Sequence, residues 1–404
     1  MQMTVILAFL IIVVLQGLGD IISAKTNGKI PSIFISCVLF LIGFWTIIPT
    51  QIERAEGVFV SLTEMAGISG VLFNLLLALL VTNMGTLMSI KELFQQWKTL
   101  VIGAAGIVGA LAIAYFIGGL LFDIDYSIVI MPGLLGGLAA VNIMREAALN
   151  VGRDNLAVLA LLVFSLQGMI GYPLMNWALR RQAGSVLKDY KAGKIKLVDP
   201  ASVSTEEKSP FKFIPDFPAK YQTAPVLIGK LAIVAWLAEY VSGLTNGNVH
   251  LLVLCLVFGI IATEIGFLEK KLLVKAETMG LLMVLLMGFV FGGLATATPE
   301  LIGQFFLPLF TIFAIGTGAL VLVGIIVGKF FKESAAMSAA IVLNCLCGFP
   351  PNYVLTVAAS KSMSENDEEY GILMQEMLPK VLVGGFATVT VLSVFVANFF
   401  AGLL

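Results

Sequence analysis

Two short stretches of this 404-residue chain hold the residues whose types and spacing could do chemistry. One reads NCLCGFPPN over residues 344–352; the other reads MPGLLGGLAAVNIMREAALN over residues 131–150. Each combines glycine or proline breaks with side-chain amides: Asn344, Gly348, Pro350, Pro351 and Asn352 in the former, Gly136, Gly137 and Asn142 in the latter. Pro350 and Pro351 remove two backbone donors, and Gly348 permits a tight turn or the close approach of a ligand. A helix that restarts after such a break points a partly positive N-terminus at the gap, which suits a carboxylate. Amide oxygens and unwound carbonyls suit a hard cation such as sodium. Arg145 follows the glycine break and could grip a carboxylate through two parallel hydrogen bonds; the simpler alternative pairs it with Glu146 or Asp154 at the surface.

The rest of the chain decides what surrounds these breaks. Hydrophobic residues make up 59%, charged residues 12%, and mean hydropathy is +1.01. A soluble domain carries about 25% charged residues, so lipid is the expected solvent for most of this surface. The formal net charge of −1 offers no field for nucleic acid. No zinc-finger, phosphate-loop or dinucleotide fingerprint occurs. The cysteines (Cys37, Cys255, Cys345, Cys347) lie in or beside apolar runs and read as buried thiols, and the one histidine, His250, has no evident partner. A membrane enzyme lacks its nucleophile–base pair here, and no cofactor or resident metal is implied.

Ten segments are apolar over about the 20 residues a spanning helix needs: 3–23, 31–50, 67–90, 98–121, 155–179, 223–242, 249–267, 277–297, 304–328 and 373–402. The first lacks a basic leader and cleavage site and reads as a retained span. The two broken stretches, 127–150 and 334–360, fit no full crossing. With both termini outside and the ten segments alternating, only Arg54, Arg145 and Arg153 of the 24 Lys and Arg residues fall outside. That is the bias expected when inner loops collect basic residues. The region 182–222, with Pro200, Pro210, Pro215 and Pro218, reads as an inner linker between 1–181 and 223–404.

The halves also echo each other. Gly106 matches Gly316 and Gly118 matches Gly328, 210 residues apart; Gly137 matches Gly348 and Ala147-Ala148 matches Ala358-Ala359, 211 apart. Five crossings per half is odd, so the second repeat would be inverted. The expected fold is an all-α polytopic membrane protein of two inverted five-helix repeats, each with a re-entrant hairpin. Irregular backbone at membrane depth must be buried in protein or line a wet cavity, so the hairpin tips should meet near the midplane.

With GG at Gly136-Gly137 and CGF at Cys347-Gly348-Phe349, this arrangement resembles the glutamate:sodium symporter family over nearly the whole length, and more distantly the 2-hydroxycarboxylate transporters. The family pattern is richer in glycine after these points; here Leu138-Ala139-Ala140-Val141-Asn142 and Pro350-Pro351-Asn352 follow instead. The resemblance implies sodium-coupled uptake of a small carboxylate such as glutamate, a homodimer, a cell-membrane location and an elevator-like movement of one subdomain. Sodium- or proton-coupled export of another organic anion, and a channel built on the same loops, are the alternatives.

The expected substrate contacts are Gly136, Gly137, Asn142, Arg145, Gly348, Pro350, Pro351, Asn352 and Thr356. The expected ion ligands are Asn142, Asn344, Asn352 and Asn83, the last in the third span. Gln16 and Asp20 share one face of the first span, with Asp20 either snorkelling to the interface or functional; Asn74, like Asn83, either lines the cavity or binds a neighbouring helix; Glu239 and Glu264 read as interfacial and Lys380 as an inner anchor.

Overall fold

The computed structural model describes residues 3–55, 57–87, 90–195, 212–215, 217–245, 251–386 and 392–404. His250, Pro200 and Pro210 lie outside the described residues. In chain order the helices are α1 (Val5–Lys25), α2 (Ser32–Thr46), α3 (Leu62–Met65), α4 (Gly70–Gly85), α5 (Ile90–Gln95), α6 (Trp97–Leu121), α7 (Ile124–Leu135), α8 (Leu138–Asn150) and α9 (Asp154–Lys191). They continue with α10 (Ala224–Leu244), α11 (Leu251–Glu264), α12 (Leu272–Lys275), α13 (Met279–Gly292), α14 (Pro299–Phe330), α15 (Ala335–Cys347), α16 (Pro351–Met363), α17 (Asp367–Phe386) and α18 (Ser393–Ala401). A two-stranded antiparallel ribbon, Ile52–Ala55 with Val58–Val60, joins α2 to α3.

Local chemistry sets the helix starts. Thr4, Ser69, Thr298 and Ser334 each accept a backbone N–H of the first turn through the side-chain oxygen, and Pro299 occupies a position where its missing N–H costs nothing. The faces then decide the solvent. Val71, Leu120 and Phe330 are each more than 80% exposed, an arrangement stable only against lipid.

Six helical segments are long and apolar enough to cross a membrane: α1, α6, α9, α10, Met279–Thr296 (α13 with the short turn after it) and α14. The chain is a multi-pass membrane protein. Of the other four expected spans, two form shorter helices, and two run into residues outside those described (249–250 and 387–391). The helix within 31–50 has 15 residues and that within 67–90 has 16. At 1.5 Å per residue these reach about 22–24 Å, short of the roughly 30 Å hydrocarbon layer. Apolar residues beyond the helix ends, such as Ile47 and Ile48, lengthened the sequence runs. The last expected span is helical over Asp367–Phe386 and Ser393–Ala401, and residues 387–391 of it lie outside the described residues.

The chain forms two compact units. The first comprises Met1–Gly67, Lys98–Lys194 and Val290–Leu404; the second comprises Ile68–Trp97 and Ile195–Phe289. In the second unit α4 packs on α11 and α10. In the first, the 38-residue α9 is the central post: α2, α7, α8, α15, α16 and α17 all pack on it. Helix α18 packs on α7 and α8, and α17 on α15 and α16. Both chemically suggestive stretches therefore belong to one unit.

Candidate functional site

Each broken stretch forms two short helices with a non-helical gap. The first is α7 and α8, parted at Gly136 and Gly137, whose backbone is extended. The second is α15 and α16, parted at Gly348, Phe349 and Pro350. Gly348 has φ +65° and ψ −176°, a region only glycine enters without strain. A side chain there would cost stability even though open space surrounds the position.

The two gaps converge on one turn of α9. The Gln167 amide, oriented to satisfy its neighbours, donates from its nitrogen to the carbonyls of Gly133 (3.1 Å) and Leu134 (3.0 Å). These are carbonyls of the last turn of α7, which lack intrahelical partners. Four residues further along α9, Gly171 lies against the end of α15: a Cβ on it would meet Leu346 Cβ at 2.8 Å and Cys347 Sγ at 3.2 Å. Four residues of helix rise about 6 Å, so both tips dock on neighbouring positions of a single post.

At the second tip the amides form a closed network. Asn352 Nδ2 donates to Asn344 Oδ1 at 2.9 Å. Asn344 Nδ2 donates back to the carbonyls of Ala340 and Ile341. Asn352 Oδ1 accepts the Tyr353 N–H at 2.7 Å, and Thr356 Oγ1 donates to the Asn352 carbonyl at 2.8 Å. All three residues are buried. On α17, Gly384 and Gly385 lie directly against the pair; a Cβ on Gly384 would stand 3.3 Å from Asn344 Nδ2, and one on Gly385 would collide with Asn352 Nδ2. Asn352, Thr356 and Ser360 follow at four-residue steps on one buried face of α16. Among the described residues the hydroxyl of Ser360 has no hydrogen-bond partner. Each amide oxygen uses one lone pair in the protein and keeps a second, the donor set a hard cation takes.

The tips differ in what they leave open. At the second, Pro350 and Pro351 have no N–H, the Asn352 N–H bonds Gly348 O, and the Tyr353 and Val354 N–H groups bond Pro350 O. The expectation of free donors at that helix start is not met, because the prolines and the Asn352 side chain consume them. At the first tip Gly137 has no side chain with which to cap α8, so among the described residues no N-cap side chain takes the opening N–H groups of that helix.

Asn142 and Arg145 lie on α8 beyond that gap, and both are exposed. Neither makes a side-chain hydrogen bond or ion pair among the described residues. The surface pairing of Arg145 with Glu146 or Asp154 does not form; Arg153 pairs with Asp125 instead. Asn142, Glu146 and Asn150 give α8 a polar exposed side in a unit whose exposed surface is otherwise rich in Leu, Ile, Val and Phe.

The structure brings Asn344, Asn352 and Thr356 together, and sets Gly348, Pro350 and Pro351 beside them in the chain. Asn142 shares no hydrogen bond with them. Asn83 belongs to the second unit, where its Oδ1 accepts the Leu273 N–H at 2.9 Å and Thr86 Oγ1 accepts that of Lys271 at 3.2 Å. Capping α12 accounts for the burial of Asn83 without an ion. Lys380 pairs with Glu333 at 2.8 Å, beside the Ser334 cap of α15, which also meets Gln182. Gln167, Gly171, Gly384 and Gly385 were not expected from sequence; a lone amide in an apolar span and a glycine pair in another were the available signals.

Contacts exchange between the halves. A Cβ on Gly106 would meet Val342 at 2.7 Å, and one on Gly316 would meet Met131 at 2.8 Å. Met131 and Val342 stand 211 residues apart, so each glycine faces the counterpart of the residue faced by the other. Within each half a second pair corresponds: Gly118 packs on Ser127 and Gly328 on Ser338, and these serines are also 211 apart.

No protein-family model matches this sequence. A comparison with curated proteins also finds no match.

Proposed function

We propose that this protein is a sodium-coupled secondary transporter that takes up a small carboxylate, with its site where the two helix gaps meet α9. The observation that carries the reading is the docking of both gaps on the Gln167–Gly171 turn, beside a buried amide network. A spanning protein interrupts helices only where the freed backbone is buried or lines a wet cavity. Paired interrupted segments in the two halves of a chain mark the binding sites of secondary transporters. The exchanged contacts, Gly106 with Val342 and Gly316 with Met131, support an inverted repeat in which the interrupted pairs are re-entrant hairpins.

The two tips divide the work. The second supplies neutral oxygens from Asn344, Asn352 and Thr356, and sodium is the cargo they suit. The first supplies the uncapped start of α8, which suits the substrate carboxylate through its N–H groups and partial positive charge. Asn142 and Arg145 lie one and two turns further on, along a polar side that gives water a path to the gap. Sodium in the second tip screens the carboxylate at the first, which couples the two cargoes. Both gaps lie in one compact unit, so an elevator-like movement would carry the whole site as one body. Resemblance to the glutamate:sodium symporters favours glutamate, a homodimer and the plasma membrane.

Uptake into proteoliposomes under an imposed sodium gradient, over a panel of amino and organic acids, tests this. Accumulation of one carboxylate that stops when choline replaces sodium supports it. Uptake that ignores sodium but collapses with the proton gradient contradicts it.

A further inference from the structure

A second feature lies along α9 beyond Gly171, where the apolar run of the helix ends. Lys29, Trp177, Arg180, Arg181 and Met363 line a recess of about 450 Å³. Three of the five residues are cations, and none is a carboxylate. Among the described residues no salt bridge engages Lys29, Arg180 or Arg181.

The recess is built rather than incidental. Arg180 Nη1 donates to the Asn27 carbonyl at 3.1 Å and to Ser362 Oγ, which fixes the guanidinium plane and leaves Nε and Nη2 for a ligand. Asn176 Nδ2 donates to the carbonyls of Gly28 (3.1 Å) and Lys29 (3.2 Å), so the loop that carries Lys29 is pinned to α9. The Arg181 guanidinium lies over the Trp177 ring, 5.6 Å from its centre. Fixed guanidiniums are the geometry for phosphate oxygens, which they bind in pairs. Holding three unpaired cations together is unfavourable unless an anion joins them.

Position selects the source of that anion. The apolar run of α9 covers residues 155–179 and gives way at Arg180-Arg181, and α9 at 38 residues exceeds the length a span needs. Trp177 is 57% exposed and Leu174 38%. An exposed tryptophan at the boundary of an apolar run marks the headgroup level, and basic pockets there take anionic headgroups. We propose that this recess binds the phosphate of an anionic phospholipid headgroup, with the acyl chains along Leu174 and Trp177. The inference rests on the membrane location alone and is independent of the transport reading.

The test uses the full-length protein in neutral detergent and native mass spectrometry, with dioleoyl phosphatidylglycerol, dioleoyl phosphatidylcholine and inorganic phosphate as probes. The variant is Lys29→Gln with Arg181→Gln; Arg180 is left intact because it also ties the loop. The proposal expects phosphatidylglycerol to be retained over phosphatidylcholine. The double variant should bind phosphatidylglycerol about 30-fold more weakly, from the usual contribution of two basic residues near a membrane surface, with an unchanged lipid-free melting temperature. If the double variant does not fold, Lys29→Gln alone, in an exposed loop, should lose about 5-fold. Equal retention of the two lipids, or unchanged phosphatidylglycerol binding in the variants, overturns the proposal. So does displacement of the lipid by equimolar inorganic phosphate, which would mark a site for a free anion.

Discussion

Asn352 donates its side-chain amide to Asn344 Oδ1 at 2.9 Å across the gap between α15 and α16, and the closely packed Gly384 and Gly385 leave no room for anything bulkier beside the pair. Truncating either asparagine therefore removes a proposed sodium ligand and strands its partner. Asn352→Ala should lower stability by about 1–3 kcal/mol, the cost of an unsatisfied buried polar group. Asn344→Ala should do the same, and the double variant should lose less than the sum, since members of one network couple by about 0.5 kcal/mol or more. Melting in detergent with and without sodium measures both effects. Additive losses with an unchanged sodium response would mean that the pair only braces the tip.

Gly171 tests whether the second tip depends on close packing against α9. A methyl group there would stand 2.8 Å from Leu346 Cβ. Gly171→Ala should therefore destabilise by about 1–3 kcal/mol, the usual cost of overpacking, and abolish uptake. A methyl group on Gly229 of α10 would meet nothing within 4 Å, so Gly229→Ala should be neutral or stabilise by up to about 1 kcal/mol. Equal melting temperatures for the two variants would contradict the docking of the tip on α9.

The matched glycine–serine contacts within each half predict paired phenotypes. Gly328→Ala would meet both Ser338 Oγ and Ser338 Cβ, whereas Gly118→Ala would meet chiefly Ser127 Oγ. Both should destabilise, Gly328→Ala more so because the serine Cβ cannot rotate away. Ser127→Ala should relieve Gly118→Ala, Ser338→Ala should relieve Gly328→Ala only in part because its Cβ remains at 2.7 Å, and neither should act on the other half. Cross-relief would break the correspondence between the halves. Sidedness gives an independent check: in a background without the native cysteines, Lys194→Cys should react with impermeant thiol reagents from the cytoplasmic side and Asn150→Cys from outside.

Acid stability has a local source at the start of α17. The Glu369 carboxylate accepts the Glu365 N–H at 2.9 Å and pairs with Lys191 Nζ at 3.1 Å. The backbone hydrogen bond first, and Lys191 second, hold its carboxyl below the ordinary value of 4.5. A folded-state value below the unfolded one adds stability above the unfolded value, and that stability is lost as pH falls through the folded value. The melting temperature should fall on acidification below about pH 4.5, and Glu369→Gln should flatten that slope. Identical slopes for the two proteins would show that other carboxylates control it.

The helix breaks were legible because Pro350-Pro351 removes two backbone donors and Gly136-Gly137, a few residues after Pro132, disfavours a continuous helix. The lipid-facing surface was legible because composition alone excludes a soluble domain. The partners of the breaks were not. Gln167 is a single amide inside an apolar run, and nothing in the run says which carbonyls it meets; that depends on how α7 returns to α9. Asn352 was expected beside Asn142, since both follow the matched glycines, but its hydrogen-bond partner is Asn344. Eight residues in sequence become neighbours once Gly348 turns the chain. The glycine pair Gly384-Gly385 read as part of an apolar span; that it makes room for two amides depends on which helix packs against it.

Arg145 separates two ways of holding a carboxylate. It is exposed and forms no ion pair among the described residues, although Glu146 is adjacent in sequence. Arg145→Ala should weaken apparent affinity for acidic substrates about 10- to 100-fold if the guanidinium grips the carboxylate, as the loss of a charge-assisted hydrogen bond implies. Wild-type affinity would place the carboxylate on the α8 N–H groups alone.

The most direct measurement is the sodium dependence of carboxylate uptake in proteoliposomes, wild type beside Asn352→Ala. The account predicts sodium-driven accumulation in wild type and a sodium requirement raised about 10- to 100-fold in the variant, at comparable amounts of folded protein. Accumulation that persists when choline replaces sodium, or the same sodium dependence in both proteins, would contradict a coupled site at the tips that meet on α9.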